Sequence, residues 1–136
     1  METAPINLEI VSPDRKVYSG EVKSVSAPGI EGGFQILSNH APYVTTLGIG
    51  KVKIEETGGN SIVYAISGGI FEVNKNKATI LAESIESQEE IDEDKVKAAL
   101  ARAQELLNRE EITKDDKEKA KMDIEENKNK LKVVKE

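Results

Sequence analysis

Cysteine and tryptophan are absent from this chain of 136 residues, and His40 is its single histidine. The lack of cysteine excludes disulfides, thiolate catalysis and zinc-thiolate sites. One histidine cannot supply a metal centre that needs several, and "AISGGIF" around Ser67 lacks the Gly-x-Ser-x-Gly turn of a serine nucleophile. We therefore expect no catalytic residue, no metal site and no enzymatic activity. His40 is expected either to brace its loop or to contact a partner.

Clustered positive charge and long apolar runs are also missing. The chain has 19 Lys+Arg against 25 Asp+Glu, a net charge of −6, whereas sequence-independent nucleic-acid binding needs clustered cations. No stretch approaches the roughly 20 apolar residues that span a bilayer, and "METAPINLEI" has no signal-peptide pattern. The sequence predicts a soluble, intracellular protein with no nucleic-acid partner and no direct membrane insertion.

Glycine, proline and aromatic residues are present but confined to one part of the chain. All ten glycines, all four prolines and all five aromatic residues lie at or before Phe71. Glycine and proline mark turns, whereas their absence allows helices to continue. The change in composition predicts an all-β domain at residues 1–88 and a helical domain at residues 89–136.

Alternating apolar residues recur in the first part, as expected for strands with one buried face. The alternating sets are Ile6, Leu8 and Ile10; Val52 and Ile54; Ile62, Tyr64 and Ile66; and Ile80 and Ala82, with Thr79 and Leu81 opposite. Turn residues separate them at Ser12-Pro13-Asp14, Pro28-Gly29, Gly58-Gly59-Asn60 and Asn74-Lys75-Asn76. Short strands between regular turns predict a β-sandwich or flattened barrel.

Helical spacing replaces this alternation from Glu89 onward. Asp92 is a candidate N-cap, and Thr113 with Asp116 resembles a capping box at the start of a second helix. The two apolar stripes are Val96, Ala99, Leu100, Ala103 and Leu107, and then Ala120, Ile124, Asn127, Leu131 and Val134. An antiparallel two-helix hairpin is predicted, so the fold class is α+β by segment.

The stripes of this hairpin contain few large aliphatic side chains, whereas ordering two helices costs much backbone entropy. We therefore expect a mobile hairpin that needs the sandwich, a ligand or another protein to settle on one conformation. Its many charges indicate either a solvated surface or a docking surface for a charged partner. The glycine clusters "PGIEGGF" and "SGGIFEV" lack the lysine of a phosphate loop and are expected to serve turns or close backbone approach.

Taken in order along the chain, these segments resemble the epsilon subunit of bacterial F-type ATP synthases. "LEIVSPDRKVYSGEVKSVSAPGIEGGFQIL" is similar to the opening strands of that family, and "NHAPYVTTLGIG" to its His-Ala-Pro loop. "SGGIFEV" and "ATILAES" are similar to later strands of its sandwich. "IDEDKVKAALARA" falls where its first C-terminal helix begins.

The resemblance implies a non-catalytic rotor subunit, peripheral at the cytoplasmic face of the bacterial cell membrane. The sandwich would bind the gamma subunit and sit against the ring of c subunits. The hairpin would switch between a compact form and an extended form that reaches the alpha/beta head and inhibits ATP hydrolysis. The positions implied to meet partners are Glu31, Gly32, Gly33, Phe34, His40 and Pro42.

Some members of that family also bind ATP as a regulatory ligand, although no cofactor is required. Ile91 and Asp92 match the family's ATP motif, and Lys95 stands where it has arginine. Lysine keeps the charge but loses the planar fork of donors. Glu86 and Arg102 match further positions of the site. Two alternatives therefore stay open: a nucleotide-sensing module that binds ATP on the compact hairpin, and a generic sandwich adaptor.

Overall fold

The computed structural model describes residues 4–136, and contacts divide the chain into two compact units between Ser87 and Gln88. The strands are β1 (Ile6–Val11), β2 (Lys16–Gly29), β3 (Gly32–Leu37), β4 (Tyr43–Glu56), β5 (Ser61–Asn74), β6 (Lys77–Ala82) and β7 (Ile85–Ser87). The helices are α1 (Glu93–Leu107) and α2 (Lys114–Val134). The predicted fold class is confirmed. Among residues 4–136, no helix is long and apolar enough to cross a membrane.

The strands of the first unit close into a ring. Hydrogen bonds join them in the order β1-β6-β5-β4-β2-β3, and β1 also pairs with β2. Five strands, β1, β6, β5, β4 and β2, therefore form a flattened barrel, to which β3 adds beside β2 and β7 beside β5. The β1–β6 pair is parallel, whereas the neighbouring pairs are antiparallel. Closure limits the unpaired strand edges through which sheets aggregate.

Alternation along the strands fills the interior of this barrel. Ile6, Leu8 and Ile10 are at most 2% exposed, while Asn7 between them faces solvent. The other predicted inward residues are also buried, namely Val52, Ile54, Tyr64, Ile66, Ile80 and Ala82, with Ile62 partly buried against them. The strand faces predicted from the period of two are therefore confirmed.

Three strands, β2, β4 and β5, are each 14 residues long, longer than the short runs that the sequence predicts. The pairing of β2 with β4 shifts register between Val22 and Ser24 and again between Ser26 and Gly29. Such bulges bend a strand and increase its twist. They let one long strand follow the curvature of a closed sheet without a turn.

The turn predicted at Pro28-Gly29 is wrong by two residues, because β2 continues through Gly29 and the chain turns at Ile30 and Glu31. Proline normally disturbs a strand because it lacks an N–H donor. Here the register shift leaves Pro28 without a residue opposite it on β4. The structure has turns or bends at the other three predicted turns.

Helix α1 begins as predicted at Asp92, whose Oδ1 accepts a hydrogen bond from the backbone N–H of Lys95 at 3.2 Å. Two further acids follow in the first turn, where the helix dipole favours negative charge. Val96 and Ala103 are the buried residues of this helix. The other members of the predicted stripe are partly buried.

Helix α2 begins at Thr113, whose Oγ1 accepts from the backbone N–H of Asp116 at 3.1 Å. Its buried residues are Ala120 and Val133. The predicted stripe members that follow Ala120 are only partly buried, and the stripe missed Val133, which is 1% exposed. Each helix therefore buries one alanine and one valine, which agrees with the thin packing expected from the sequence.

Candidate functional site

His40 lies in the exposed loop between β3 and β4, as does Pro42. Its Nδ1 lies 2.6 Å from the carbonyl oxygen of Ala41, and its ring centroid lies 6.1 Å from that of Tyr43. Across residues 4–136, no three His, Cys, Asp or Glu side chains are grouped to hold a metal ion. The loop therefore offers His40 as a surface group with one local backbone contact.

An asparagine pair fixes the start of this loop. The backbone N–H of Asn39 donates to Oδ1 of Asn76 at 2.7 Å, and Nδ2 of Asn76 donates to Oδ1 of Asn39 at 3.1 Å. Both residues have positive φ, 63° and 60°, a conformation that asparagine adopts more readily than most residues. The pair ties the His40 loop to the turn between β5 and β6.

Phe34 joins the His40 loop to the core. Its ring lies edge-on to Tyr43, with centroids 5.5 Å apart, and to the buried Phe71, with centroids 5.0 Å apart. The side chain of Phe34 is partly buried, whereas Tyr43 is 38% exposed. The structure thus brings Phe34 and His40 together through Tyr43, and Tyr43 presents the more exposed ring.

The turn between β2 and β3 forms an exposed tip at Ile30 and Glu31. Ile30 is 64% exposed, and Gly32 follows with φ 136°, which glycine adopts without steric cost. Gly33 is also exposed. The backbone N–H of Ile30 donates to the carbonyl oxygen of Thr46 at 3.0 Å, so the tip is anchored to β4. The sequence prediction omitted Ile30, although a large apolar residue between Pro-Gly and Gly-Gly is a signal for an exposed contact.

A row of apolar side chains crosses the outside of the barrel. Leu81 of β6 lies opposite Val11 of β1 and Ile70 of β5, and Ile70 lies opposite Thr46 of β4. We call Val11, Thr46, Ile70 and Leu81 the apolar row. Ile70 is 47% exposed and Leu81 52%, while Val44, two residues before Thr46, is 64% exposed. The adjacent strands β5 and β6 thus present Ile70 and Leu81 to solvent, with the partly buried Val11 on one side and the exposed Thr46 on the other.

A cavity of about 540 Å³ lies along the apolar row and is also lined by Ser12, Pro13, Gly69, Ala82 and Glu83. Gly69 has φ 148°, and a Cβ there would collide with the carbonyl oxygen of Leu81. Gly68 has φ 98°, and Oε2 of Glu83 lies 2.8 Å from where its Cβ would be. The expectation that "SGGIFEV" serves close backbone approach is confirmed, because at Gly69 the carbonyl oxygen of Leu81 occupies the space that a Cβ would need.

Sequence reasoning did not assign the apolar row. The strand "ATILAE" placed Leu81 on the face opposite Ile80 and Ala82, and a large aliphatic residue on an outward face was the available signal. What the sequence did not show is that Val11 and Ile70 flank Leu81. Their proximity depends on the parallel pairing of β1 with β6 and on the register of β5.

The residues predicted to bind ATP are divided between the two units. Glu86 lies on β7 in the first unit, and Ile91, Asp92, Lys95 and Arg102 lie in the second. Ile91 is 9% exposed, whereas Lys95 and Arg102 are exposed on α1. The carboxylate of Asp92 already accepts the N-cap hydrogen bond of this helix.

Comparison with known proteins identifies the family. Residues 5–88 match the model of the ATP synthase delta/epsilon chain β-sandwich domain. The ATP synthase epsilon chain of Pelotomaculum thermopropionicum is 46% identical over 100 residues, which is 74% of each chain.

Two solved structures share the fold. A chain of the Euglena gracilis mitochondrial ATP synthase, from a structure of its OSCP/F1/c-ring, aligns with a TM-score of 0.83 at 24% identity, over 98% of this chain and 82% of that one. A chain of the Tetrahymena thermophila mitochondrial ATP synthase, from a structure of its central stalk and c-ring, aligns with a TM-score of 0.64 at 17% identity, over 98% and 99%. Together with the sequence matches, the fold shows that the chain belongs to the ATP synthase epsilon chain family, a non-catalytic subunit of the F-type complex.

Proposed function

We propose that this chain is a rotor subunit of the central stalk that couples the gamma subunit to the ring of c subunits. It would act as a peripheral protein at the cytoplasmic face of a bacterial membrane. Membership of the epsilon chain family supports this proposal. So does the shared fold with a chain from the Tetrahymena structure described as central stalk and c-ring.

One observation carries the coupling role: the exposed apolar row with its cavity. A soluble domain seldom leaves adjacent large aliphatic side chains exposed without a partner. Ile70 and Leu81 lie side by side and project from a closed sheet whose interior is filled. Because the closed sheet holds the backbone of these residues in place, binding of a partner to this surface costs little conformational entropy. We assign the gamma subunit to this face.

The exposed tip at Ile30 and Glu31 is a second surface, and we assign it to the c ring. Ile30 offers an apolar contact, and Glu31 offers negative charge beside it. Glu31 is also one of the positions that the family resemblance implies to meet partners. The hydrogen bond from Ile30 to Thr46 links this tip to the apolar row.

The helical hairpin is the regulatory element of the proposal. Its buried side chains on α1 and α2 are two valines and two alanines, so burial contributes little free energy to any one helix arrangement. A partner that binds one conformation better can therefore shift the population toward it. In the proposed mechanism an extended hairpin reaches the alpha/beta head and inhibits ATP hydrolysis.

ATP hydrolysis by a head reconstituted from alpha, beta and gamma subunits tests both roles. We expect the chain ending at Ser87 to bind gamma as the full chain does, and to allow faster hydrolysis. A full-length Leu81→Asn variant is the matched control and should bind gamma more weakly. Equal rates of ATP hydrolysis with the full chain bound and with the chain ending at Ser87 bound would contradict the regulatory role. Failure of the full chain to bind gamma would remove the coupling role.

ATP binding by the hairpin is a second candidate function. Lys95 and Arg102 are seven residues apart on α1, so both lie on one exposed face about 10 Å apart along the axis. Calorimetric titration of the full chain with millimolar ATP should show heat that Lys95→Ala and Arg102→Ala each reduce. Lys97→Ala, on another face of the same helix, should leave the heat unchanged. No heat from the unmodified chain would exclude this function.

A further inference from the structure

Two carboxylates that have no ion-pair partner among residues 4–136 flank the apolar row, whereas Glu9, two residues before Val11, is paired with Lys16. Glu72 follows Ile70 by two residues on β5, and Glu83 follows Leu81 by two residues just beyond the end of β6. Because β5 and β6 are antiparallel, the two glutamates lie on opposite sides of the row. At 3.2–3.4 Å per residue, each lies about 7 Å from the row along its strand.

Both glutamates belong to the same outer face. The period of two places Glu72 beside Ile70, where it is exposed and lies opposite Val44. Glu83 lines the cavity beside the apolar row, and its backbone N–H donates to the carbonyl oxygen of Gly68 at 3.0 Å. That hydrogen bond continues the ladder between β5 and β6 and fixes the backbone position of Glu83 beside the row.

Neither of these two residues forms an ion pair with another side chain in the described part of the chain. Nζ of Lys16 lies 3.1 Å from Oε1 of Glu9 and is therefore occupied by that pair. Lys77 lies two residues along the strand from the position paired with Glu72. Within residues 4–136, neither Glu72 nor Glu83 has an ion-pair partner. A basic side chain of a partner could therefore pair with Glu72 or Glu83 without displacing another ion pair.

We infer that this face binds an amphipathic segment whose apolar stripe covers the row and whose Lys or Arg side chains flank the stripe on both sides. The inference rests on the proposed function, since the segment belongs to the stalk partner assigned to this face. One basic group would face Glu72 and the other Glu83. The two glutamates therefore determine which segments fit, and the aliphatic side chains supply the buried area.

The dimensions fit one helix lying along the row. The row crosses four strands, and three inter-strand spacings of about 4.8 Å give roughly 14 Å, about two and a half helical turns. The two glutamates are about 14 Å apart across it, slightly more than the 10–12 Å diameter of a helix with its side chains. Lysine and arginine side chains can extend from the flanks of such a helix to both carboxylates.

Binding of the full-length chain to purified gamma subunit, measured at several salt concentrations, tests the inference. Glu72→Gln and Glu83→Gln should each weaken binding about two- to five-fold at low salt, since exposed ion pairs contribute up to roughly 1 kcal/mol. The double variant should show a flatter dependence of affinity on salt than the unmodified chain. Glu55→Gln is the matched control, because it is exposed on β4 nine residues from Thr46.

Leu81→Asn separates the inference from the proposed function. If Leu81→Asn weakens binding while both glutamine variants bind with unchanged affinity and salt dependence, the face is the interface but the charge requirement is wrong. If none of these variants changes the affinity, the partner binds elsewhere and the assignment of this face fails as well. Loss of affinity in Glu55→Gln equal to that in Glu83→Gln would show only a general charge effect and would also overturn the inference.

Discussion

Gly69 has φ 148°, and a Cβ at this position would collide with the carbonyl oxygen of Leu81. We expect Gly69→Ala to lower the free energy of unfolding by about 2 kcal/mol or more, because the strained backbone and the collision add. Gly33→Ala is the control, since its nearest neighbour would be the carbonyl oxygen of Ala27 at 3.8 Å. Denaturant unfolding followed by circular dichroism measures both, and equal stabilities would contradict this account.

The pKa of Tyr18 makes the stability of the sandwich depend on pH in the alkaline range. Burial raises the pKa of its hydroxyl above the usual value of about 10, and the hydrogen bond to Oε2 of Glu56 at 2.7 Å raises it further. As pH rises past about 10, the unfolded chain loses this proton while the folded chain keeps it, so the free energy of unfolding falls. Below that pH, Tyr18 does not make the free energy of unfolding depend on pH.

Tyr18→Phe should therefore show a shallower loss of stability between about pH 9.5 and 11 than the unmodified chain. At pH 8 the variant should be less stable by about 1 kcal/mol, because one hydrogen bond is lost. Denaturant unfolding at each pH measures both effects. Parallel stability curves for the two proteins would show that Tyr18 titrates normally when folded.

Individual residues were the least predictable level. The sequence indicated correctly that Asp92 caps a helix. The hydrogen bond that forms this cap joins Asp92 to Lys95, only three residues away, so it depends on neighbouring sequence alone. It did not indicate that Glu72 and Glu83 flank one surface, because their positions relative to Val11 follow from strand register across the closed barrel. Surfaces built from residues distant in sequence require the pairing to be known first.

At the scale of elements, Gln88 caps the last turn of α2 from outside that helix. Its Nε2 donates to the carbonyl oxygens of Val133 at 2.9 Å and Glu136 at 2.7 Å. Val133 lies in the last turn of α2, where carbonyl oxygens lack partners within the helix, and its oxygen also accepts from the backbone N–H of Glu136 at 3.1 Å. The side chain of Gln88, at the start of the second unit, therefore stabilises the C-terminal end of that unit.

Gln88→Ala should let the last turn of α2 fray. We expect amide hydrogen exchange near Val133 to accelerate roughly five-fold, as loss of about 1 kcal/mol implies. Gln104→Ala, an exposed glutamine inside α1, should not change exchange at that site. Unchanged protection of the last turn in Gln88→Ala would show that these two hydrogen bonds contribute nothing in solution.

Strands and helices were predictable where the pattern is local and uninterrupted. The run "INLEIV" coincides with β1, because its alternation has no competing signal. The turn at Pro28 was misplaced because proline usually ends a strand, whereas a bulge in the β2–β4 pairing accommodates it here. The lengths of β4 and β5 were underestimated because the alternating runs around Val52 and Tyr64 cover only part of each strand, and the glycines of "SGGIFEV" lie inside β5.

At the scale of the whole molecule, the two units should differ in autonomy. All members of the sandwich core lie between Ile6 and Ile85, so a chain ending at Ser87 keeps every one of them. We expect that chain to fold cooperatively. A peptide of residues 88–136 should be far less helical alone, because its helices bury few side chains.

Circular dichroism and amide NMR spectra of the two fragments check this expectation. Dispersed amide signals from the longer fragment and weak, non-cooperative helicity from the peptide are the expected results. A peptide that unfolds cooperatively with full helicity would contradict the account of a hairpin governed by its partners. It would also weaken the regulatory part of the proposed function.

The hydrogen bond between Ile30 and Thr46 has a mechanical consequence for the proposed rotor function. The tip and the apolar row, proposed to hold two different partners, are joined by the main chain of β4 and the strands bonded to it. A torque applied at one surface reaches the other as shear across many hydrogen bonds loaded together. The sandwich should therefore twist very little under load. Elastic energy stored between steps of the proposed rotation would then reside in other parts of the ATP synthase complex.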